Sequence, residues 1–321
     1  MAQIAESIPA PVPVKPAPWN TQCESYWLML YMPAVLPEGV YDPLEASSPH
    51  FADPKASGEF KGGLAIIMVV RYKDTPTGPY DELLLIPGAF RTPTSSNLLS
   101  HRILNRIARI YVSQRDTCYN GRANWNIPKH LARFSFSSPP VSSTTPTPKS
   151  LTLAVYPPDP TSTIPFFSAT LTPFTWLPAI PFSTRYMPLN TELGQPPLPA
   201  APRTSKVHSP LSNSSKAKDP YDITKDQAEL LVGTERWCSM PINAYSPKTR
   251  GMWVEVHSPA YLPQKNRDGA DGAGEGEGVV SEEEARKEAQ RWWPQGVKPW
   301  RMGAWMEEAE ITIPAPVEWK L

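Results

Sequence analysis

Short apolar runs, broken by proline, glycine and polar stretches, recur along the chain, and their length and β-branched content predict strands more than helices. The clearest is Gly62 to Tyr72, Gly-Gly-Leu-Ala-Ile-Ile-Met-Val-Val-Arg-Tyr. Its expected partner is Glu82 to Phe90, and the linking Asp74-Thr75-Pro76-Thr77-Gly78-Pro79 has turn chemistry. Two apolar strands joined by so short a link should pair antiparallel. Further strands are expected over Ser25 to Ala34, Arg106 to Val112, from near Leu131, over Leu151 to Tyr156, Phe166 to Phe174, Gly251 to His257 and Glu308 to Ile313.

Helix signals are fewer. Gln114 to Asn124 reads as a short helix that must stop at Ile127-Pro128, because a residue before proline is pushed to extended angles. Lys129 then falls just past a helix end, on a tight connection into the next strand. Lys225 to Trp237 fits a second helix. Ser281-Glu282-Glu283-Glu284 has the form of a capping box, predicting a helix to about Trp293 that Pro294 ends. No fixed-period repeat is visible, which argues against solenoids and propellers. The pattern predicts an α+β chain, mainly antiparallel β, with residues 19–321 forming one barrel-like domain with short helices.

Composition changes this picture in one respect. Proline accounts for 41 of 321 residues, well above an average near 5%, so the elements must be short and separated by irregular, Pro-rich insertions. Residues 1–18 read as an extended Pro-rich arm. Insertions at 137–149, 196–220 and 266–278 are rich in Ser, Thr, Pro or Gly and are expected to be mobile. Formal charge balances, with 31 basic and 31 acidic residues, which argues against a nucleic-acid partner. The chain has no apolar run of the length of a membrane span and no signal-peptide core at its start. The expectation is a soluble, cytoplasmic protein with no membrane partner. Cys23, Cys118 and Cys238 are isolated from one another and read as buried thiols.

Several chemistries lack their parts. His50, His101, His130, His208 and His257 never fall at the i, i+2 or i, i+4 spacing that puts two imidazoles on one metal, so no metal site is expected. Gly62-Gly63 lacks the lysine and hydroxyl of a phosphate loop, and no Gly-x-Ser-x-Gly elbow occurs. Trp292, Trp293, Trp300 and Trp305 read as cover for the core. What remains is lysine and carboxylate. An ordinary lysine is neutral in only about one molecule in 2,500 at pH 7, so a nucleophilic lysine must be perturbed. Lys129 lies between apolar Ile127 and Leu131, so burial is expected to lower its pKa. Glu82, at the start of an apolar strand, could then move protons.

Gly78-Pro79-Tyr80-Asp81-Glu82 before an apolar strand, then Arg109-Ile110-Tyr111-Val112, then Gly121-Arg122 leading to Ile127-Pro128-Lys129-His130-Leu131, resemble the acetoacetate decarboxylase family, most closely its filamentous-fungal members. The likeness covers roughly Trp19 to Phe136. It implies a single antiparallel β-barrel or cone, an oligomeric assembly and no cofactor; the arm of residues 1–18 could then wrap a neighbouring copy or stay an untethered tail. It also implies that Lys129 is a Schiff-base lysine and Glu82 a cavity carboxylate. His130, Tyr111, Ile66, Met68 and Arg122 are the accompanying candidates for substrate contact. The chain departs from the family pattern in three places. His130 stands where the family has a second lysine, no arginine lies near Cys23 or Glu24 to receive a substrate carboxylate, and Ala65 to Ile67 supply no second cavity carboxylate.

The resemblance thus implies a Schiff-base lyase acting on a small carbonyl or keto-acid substrate, with decarboxylation of a β-keto acid or polyketide-like compound as one version. The missing arginine leaves open an aldolase or dehydratase using the same lysine, or a non-catalytic barrel that binds an apolar ligand.

Overall fold

The computed structural model describes residues 11–93, 102–142, 144–186, 190–201, 228–259 and 281–321. The first ten residues of the arm, most of the 196–220 insertion and all of the 266–278 insertion lie outside the described residues.

Strand formation dominates, as the apolar runs require. β1 (Trp19–Met32), β2 (Glu59–Asp74) and β3 (Tyr80–Ile86) form an antiparallel unit, with Leu28 opposite Ile67 and Met68 opposite Leu84. β3 continues to β6 (Arg109–Val112), and β6 pairs in parallel with β7 (Lys129–Leu131), Ile110 lying opposite Lys129. On the other side of β1 the order runs through β15 (Met302–Ile313), β14 (Asn243–Val256), β10 (Phe167–Pro173), β9 (Leu151–Tyr156) and β8 (Arg133–Phe136). β2 also bends onto β4 (Ala89–Arg91), which leads through β5 (Ile103–Asn105) and β12 (Glu192–Gln195) to β13 (Trp237–Pro241) and β16 (Val317–Trp319). β11 (Ile180–Ser183) pairs with β14. The mainly antiparallel β architecture expected from sequence is present, and among the described strands the pairing runs from β16 to β8 without closing on itself.

Side chains alternate across a strand, and here that alternation sorts the core into two clusters. Ile67 and Val69 of β2, Leu83 and Leu85 of β3 and Tyr111 of β6 join one cluster with Tyr26 and Leu28. Met68, Val70 and Tyr72, with Tyr80, Leu84 and Ile110, join the other with Ile127. Over their middle residues these strands are buried on both faces, which explains their near-continuous hydrophobic sequence there.

Helices are short. Three single turns, α1 (Pro43–Ala46), α2 (Pro49–Ala52) and α3 (Pro54–Ser57), each begin on proline behind an Asp or Ser cap. α4 (Arg115–Trp125) ends at Asn126, whose φ of 54° is the left-handed turn that caps a helix and leads to Pro128. The fifth helix, α5 (Glu282–Trp292), carries the complete Ser281–Glu284 capping box. No helix among the described residues is long and apolar enough to cross a membrane.

The structure bears on several of these expectations. Of the helix expected to reach Trp237, Ala228 is helical but the chain beyond it is not: Ala201 donates to Leu231 O, Thr234 donates to Leu198 O, and Trp237 opens β13. A Cβ on Gly233 would lie 2.7 Å from Ala200 N, so this stretch is pressed against residues 198–201 and spends its backbone groups there. The 137–149 insertion is held to the sheet: Val141 is buried, its N–H donates to Glu24 at 2.9 Å and Thr147 donates to Glu307 at 2.6 Å. Described arm residues are tied to α4, where Lys15 N donates to Asn120 Oδ1 at 2.7 Å and Asn124 donates back to Lys15 O. Trp293 and Trp305 lie in the core, but Trp300 is half exposed. All three cysteines are free and buried, and burial pushes the Cys118 and Cys238 thiols up to about 12.

Candidate active site

The site is built where β3, β7 and α4 meet. Tyr80, Glu82 and Leu84 alternate onto one face of β3, while Lys129 aligns with Ile110 of β6 and so faces the same way. On α4, Thr117, Cys118, Gly121 and Arg122 follow the spacing of one helix face, and that face clasps Lys129. Cys118 Sγ and Arg122 each donate to its carbonyl at 3.3 Å. Gly121 makes room for the side chain: a Cβ there would lie 2.6 Å from Lys129 Cδ and 2.7 Å from Cε.

Lys129 is 3% exposed, as is Glu82. Its Nζ lies 3.0 Å from Glu82 Oε2, donates to Thr117 Oγ1 at 2.9 Å and to Tyr80 Oη at 3.3 Å. Three acceptors match the three protons of an ammonium. Tyr72 Oη donates to Glu82 Oε1 at 3.5 Å, and the Tyr72 and Tyr80 rings lie 4.5 Å apart.

The electrostatics reverse one sequence expectation. Burial does oppose the Lys129 charge, but the Glu82 carboxylate and Tyr80 together outweigh it and hold the amine above the ordinary lysine range. Burial alone therefore does not neutralise Lys129, because its burial comes with a carboxylate in hydrogen-bond contact. Burial also drives Tyr80 up to about 12 against the pull of Lys129, and lifts Tyr72 well above its usual value, with Glu82 adding to the shift. Both phenols thus stay protonated near pH 7.

Lys129 and Glu82 line a cavity of about 320 Å³ that runs along β2 from Tyr72 to Gly62 and Gly63. Ile66 and Met68 also line it, together with Leu84, Ile110 and Ile127. The structure thus brings four of the seven sequence candidates, Lys129, Glu82, Ile66 and Met68, to one space.

The other three lie elsewhere. His130 and Tyr111, each one residue from a cavity-lining position, point to the opposite face of the sheet. There His130 Nε2 meets Glu45 Oε2 at 2.8 Å, and Arg122 donates to Glu45 Oε1 at 2.9 Å. Asp42 lies 3.3 Å from Arg109, which donates from Nε to Tyr111 Oη at 3.0 Å. Tyr111 in turn donates to Trp292 O. Burial works against the Glu45 charge, yet His130 and Arg122 outweigh it and hold the carboxyl at about 2. Asp42, Glu45 and His130 each offer a ligand atom within 4.8 Å of the others, but two guanidiniums already meet these carboxylates, so the cluster's charge is balanced without an ion. His130 is therefore placed as a partner of Glu45 and not as a cation beside the Lys129 amine.

Sequence reasoning missed Thr117, Tyr72 and the role of Tyr80. Alternation carried the signal for Tyr80, two residues before Glu82 and so on its face. For Thr117 and Tyr72 only three-dimensional placement supplies it.

No family model matches the chain. Over 81 residues it is 33% identical to the protein NEOXANTHIN-DEFICIENT 1 of Oryza sativa subsp. japonica, a match that spans 25% of this chain and 24% of that relative. Among solved structures it is similar to an acetoacetate decarboxylase from Legionella pneumophila, with 11% identity, a TM-score of 0.45 and 98% and 93% of the two chains covered. It is also similar to the enduracididine biosynthesis enzyme MppR complexed with pyruvate, with 11% identity, a TM-score of 0.43 and 95% and 91% covered. A further acetoacetate decarboxylase structure gives 11% identity and a TM-score of 0.47 over 96% and 91%. Values this low decide neither the family nor the reaction of this chain, whose chemistry must be argued from its own residues.

Proposed function

We propose that this protein is a Schiff-base-forming lyase acting on a small-molecule carbonyl compound, with Lys129 as nucleophile and Glu82 as proton carrier. The observation that supports it most is the Lys129–Glu82 pair, 3.0 Å apart and lining an otherwise apolar cavity. Transfer of one proton from the ammonium to the carboxylate turns the ion pair into a neutral amine and a carboxylic acid. In water that exchange is steeply uphill; a substrate that fills the cavity and displaces water removes solvation from the charged form and lessens the cost. The pair is in this sense self-contained, since the base that frees the nucleophile is already bonded to it.

The free amine adds to the carbonyl carbon, and Glu82 returns its proton so that the carbinolamine oxygen leaves as water. The resulting iminium is an electron sink: a proton, or an electrofugal carbon group released as a neutral carbonyl compound or carbon dioxide, leaves the α-carbon, the bonding pair becomes the enamine double bond, and the C=N π pair moves to nitrogen. Glu82, a carboxylate at this stage, takes up the departing proton or one from water, delivers it to the α-carbon, and hydrolysis of the iminium releases the product and restores Lys129. Tyr80 and Thr117 hold the nitrogen, and Tyr72 holds the second carboxylate oxygen.

Borohydride trapping tests this reading. A carbonyl compound incubated with the protein and reductant should add the mass of the reduced imine at Lys129, and Lys129→Ala should abolish the adduct. No adduct with any ketone or aldehyde, alongside a folded protein, would leave a binding protein without this chemistry.

A further inference from the structure

We infer that the substrate is an uncharged carbonyl compound with an extended apolar body, bound with its carbonyl at Lys129 and its apolar body along β2. This rests on the Schiff-base reading above and narrows it: a free carboxylate beside the carbonyl, as in a β-keto acid, is excluded by the charge of the wall.

Charge is the first argument. Among the described residues, Lys129 is the one cation lining the cavity, and Glu82 already neutralises it at 3.0 Å. A substrate carboxylate brought to this pole would meet a net-neutral pair and the nearby oxygens of Glu82. Its desolvation would go uncompensated, which costs far more than burying a neutral carbonyl. The basic side chains that could have met an anion are committed elsewhere: Arg122 to Glu45 and Arg109 to Asp42, on the opposite face.

The wall is the second argument. Ile66, Met68, Leu84, Ile110, Ile127 and Ile311 surround the space, and Trp27 and Met29 continue it. Polar groups beyond the Lys129 pole are neutral: the buried Thr184 and the less buried Asn105, Asn190 and Thr191. Three of them are already bonded, Thr184 to the carbonyl of Ala244, Asn105 to that of Asn190 and Asn190 to that of Ile103. The cavity therefore presents one polar pole, an apolar body and a neutral far end. At about 320 Å³ it falls at the lower bound of pockets that enclose a drug-sized ligand.

With such a substrate the proton chemistry at the α-carbon still balances. The iminium loses an α-proton to Glu82, the C–H electron pair becomes the enamine double bond, and the C=N π pair moves to nitrogen. Reprotonation at carbon and hydrolysis by water return the carbonyl compound. In deuterated water this cycle exchanges α-hydrogens without any other bond breaking.

Two measurements on the intact wild-type chain test the inference. In the first, methyl ketones from 2-butanone to 2-dodecanone and 3-oxo acids of matching length are trapped with borohydride and followed by intact mass. The ketone concentration giving half-maximal adduct should fall about fourfold per added methylene until the cavity is filled, and each 3-oxo acid should need at least about tenfold more than its ketone. Equal or better trapping of the acids, or no dependence on chain length, would overturn it. In the second, 1-decanol and decanoate, which cannot form an imine, compete for the site and are read by thermal stabilisation. Decanol should stabilise and decanoate should not; the reverse order overturns the inference without touching the Schiff base. Absence of any adduct with decanol still stabilising would remove the Schiff-base reading and leave an apolar-ligand site, so the two failures are distinct.

Discussion

Lys129 and His130 are adjacent in the chain, yet they serve opposite faces of the sheet, and each face buries a carboxylate against a cation. Glu45 is fully enclosed, with one oxygen on Arg122 and the other on His130. Glu82 is nearly as buried, but its pair with Lys129 lies at the wall of a cavity. A guanidinium keeps its proton under all conditions relevant here, so the Glu45 network can only hold. An ammonium in contact with a carboxylate can surrender its proton to it, and a neighbouring cavity gives the freed amine something to attack. Buried charge becomes chemistry only where the cation can be neutralised and space adjoins it.

The sharpest way to break this contrast is Glu82→Gln. It removes the carboxylate that raises Lys129, leaving burial as the dominant influence, so Lys129 should titrate below the ordinary lysine value. Adduct formation should then extend to lower pH, while α-hydrogen exchange should drop by about 10²–10⁴-fold for want of a proton carrier. Trapping across pH and exchange followed by NMR read the two effects; an unchanged pH profile would remove Glu82 from its role.

Glu45→Gln should act on stability instead. Leaving Arg122 and His130 buried without their carboxylate should cost about 3–5 kcal/mol in urea unfolding, while adduct formation by the folded fraction stays the same. The pH signature follows from the depressed Glu45 carboxyl. Its stabilisation is present above the unfolded value, near 4.5, and is lost as pH falls toward 2, so the variant should show a flatter acid limb. A steep fall in adduct formation at full folding would mean the two faces are coupled.

Smaller effects should come from the residues that aim Lys129. Gly121→Ala places a methyl 2.6 Å from the Lys129 chain, which should cost about 1–3 kcal/mol and displace Nζ, raising the ketone concentration needed for trapping more than it lowers stability. Tyr80→Phe deletes one of three hydrogen bonds to Nζ, worth about 1 kcal/mol, and should slow exchange by less than tenfold. A larger loss would make Tyr80 a proton donor to substrate.

Much of the architecture was legible in local pattern. Leu151–Tyr156 has the bounds the apolar run predicts, and the Ser281 capping box forms as its spacing requires. The α4 stop at Asn126 follows from the Ile127-Pro128 step. Less legible were elements defined by distant partners. β14 begins at Asn243, through a stretch of alternating exposed and buried residues, because β15 and β11 pair along it. β15 likewise starts at the exposed Met302, where Trp253 lies opposite.

For the site, sequence by itself determined that Lys129 follows a helix stop between apolar neighbours and that Glu82 opens an apolar strand. It could also have told that His130 and Lys129 face apart, since neighbours in a strand always do. What only the tertiary structure decided is the charge state and surroundings of that lysine. The parallel register of β7 on β6 and the packing of Gly121 and Thr117 bring Nζ against Glu82. Electrostatic energy depends on distances between atoms far apart in sequence, and burial, which alone would have lowered the lysine's pKa, is overruled by a partner 3.0 Å away.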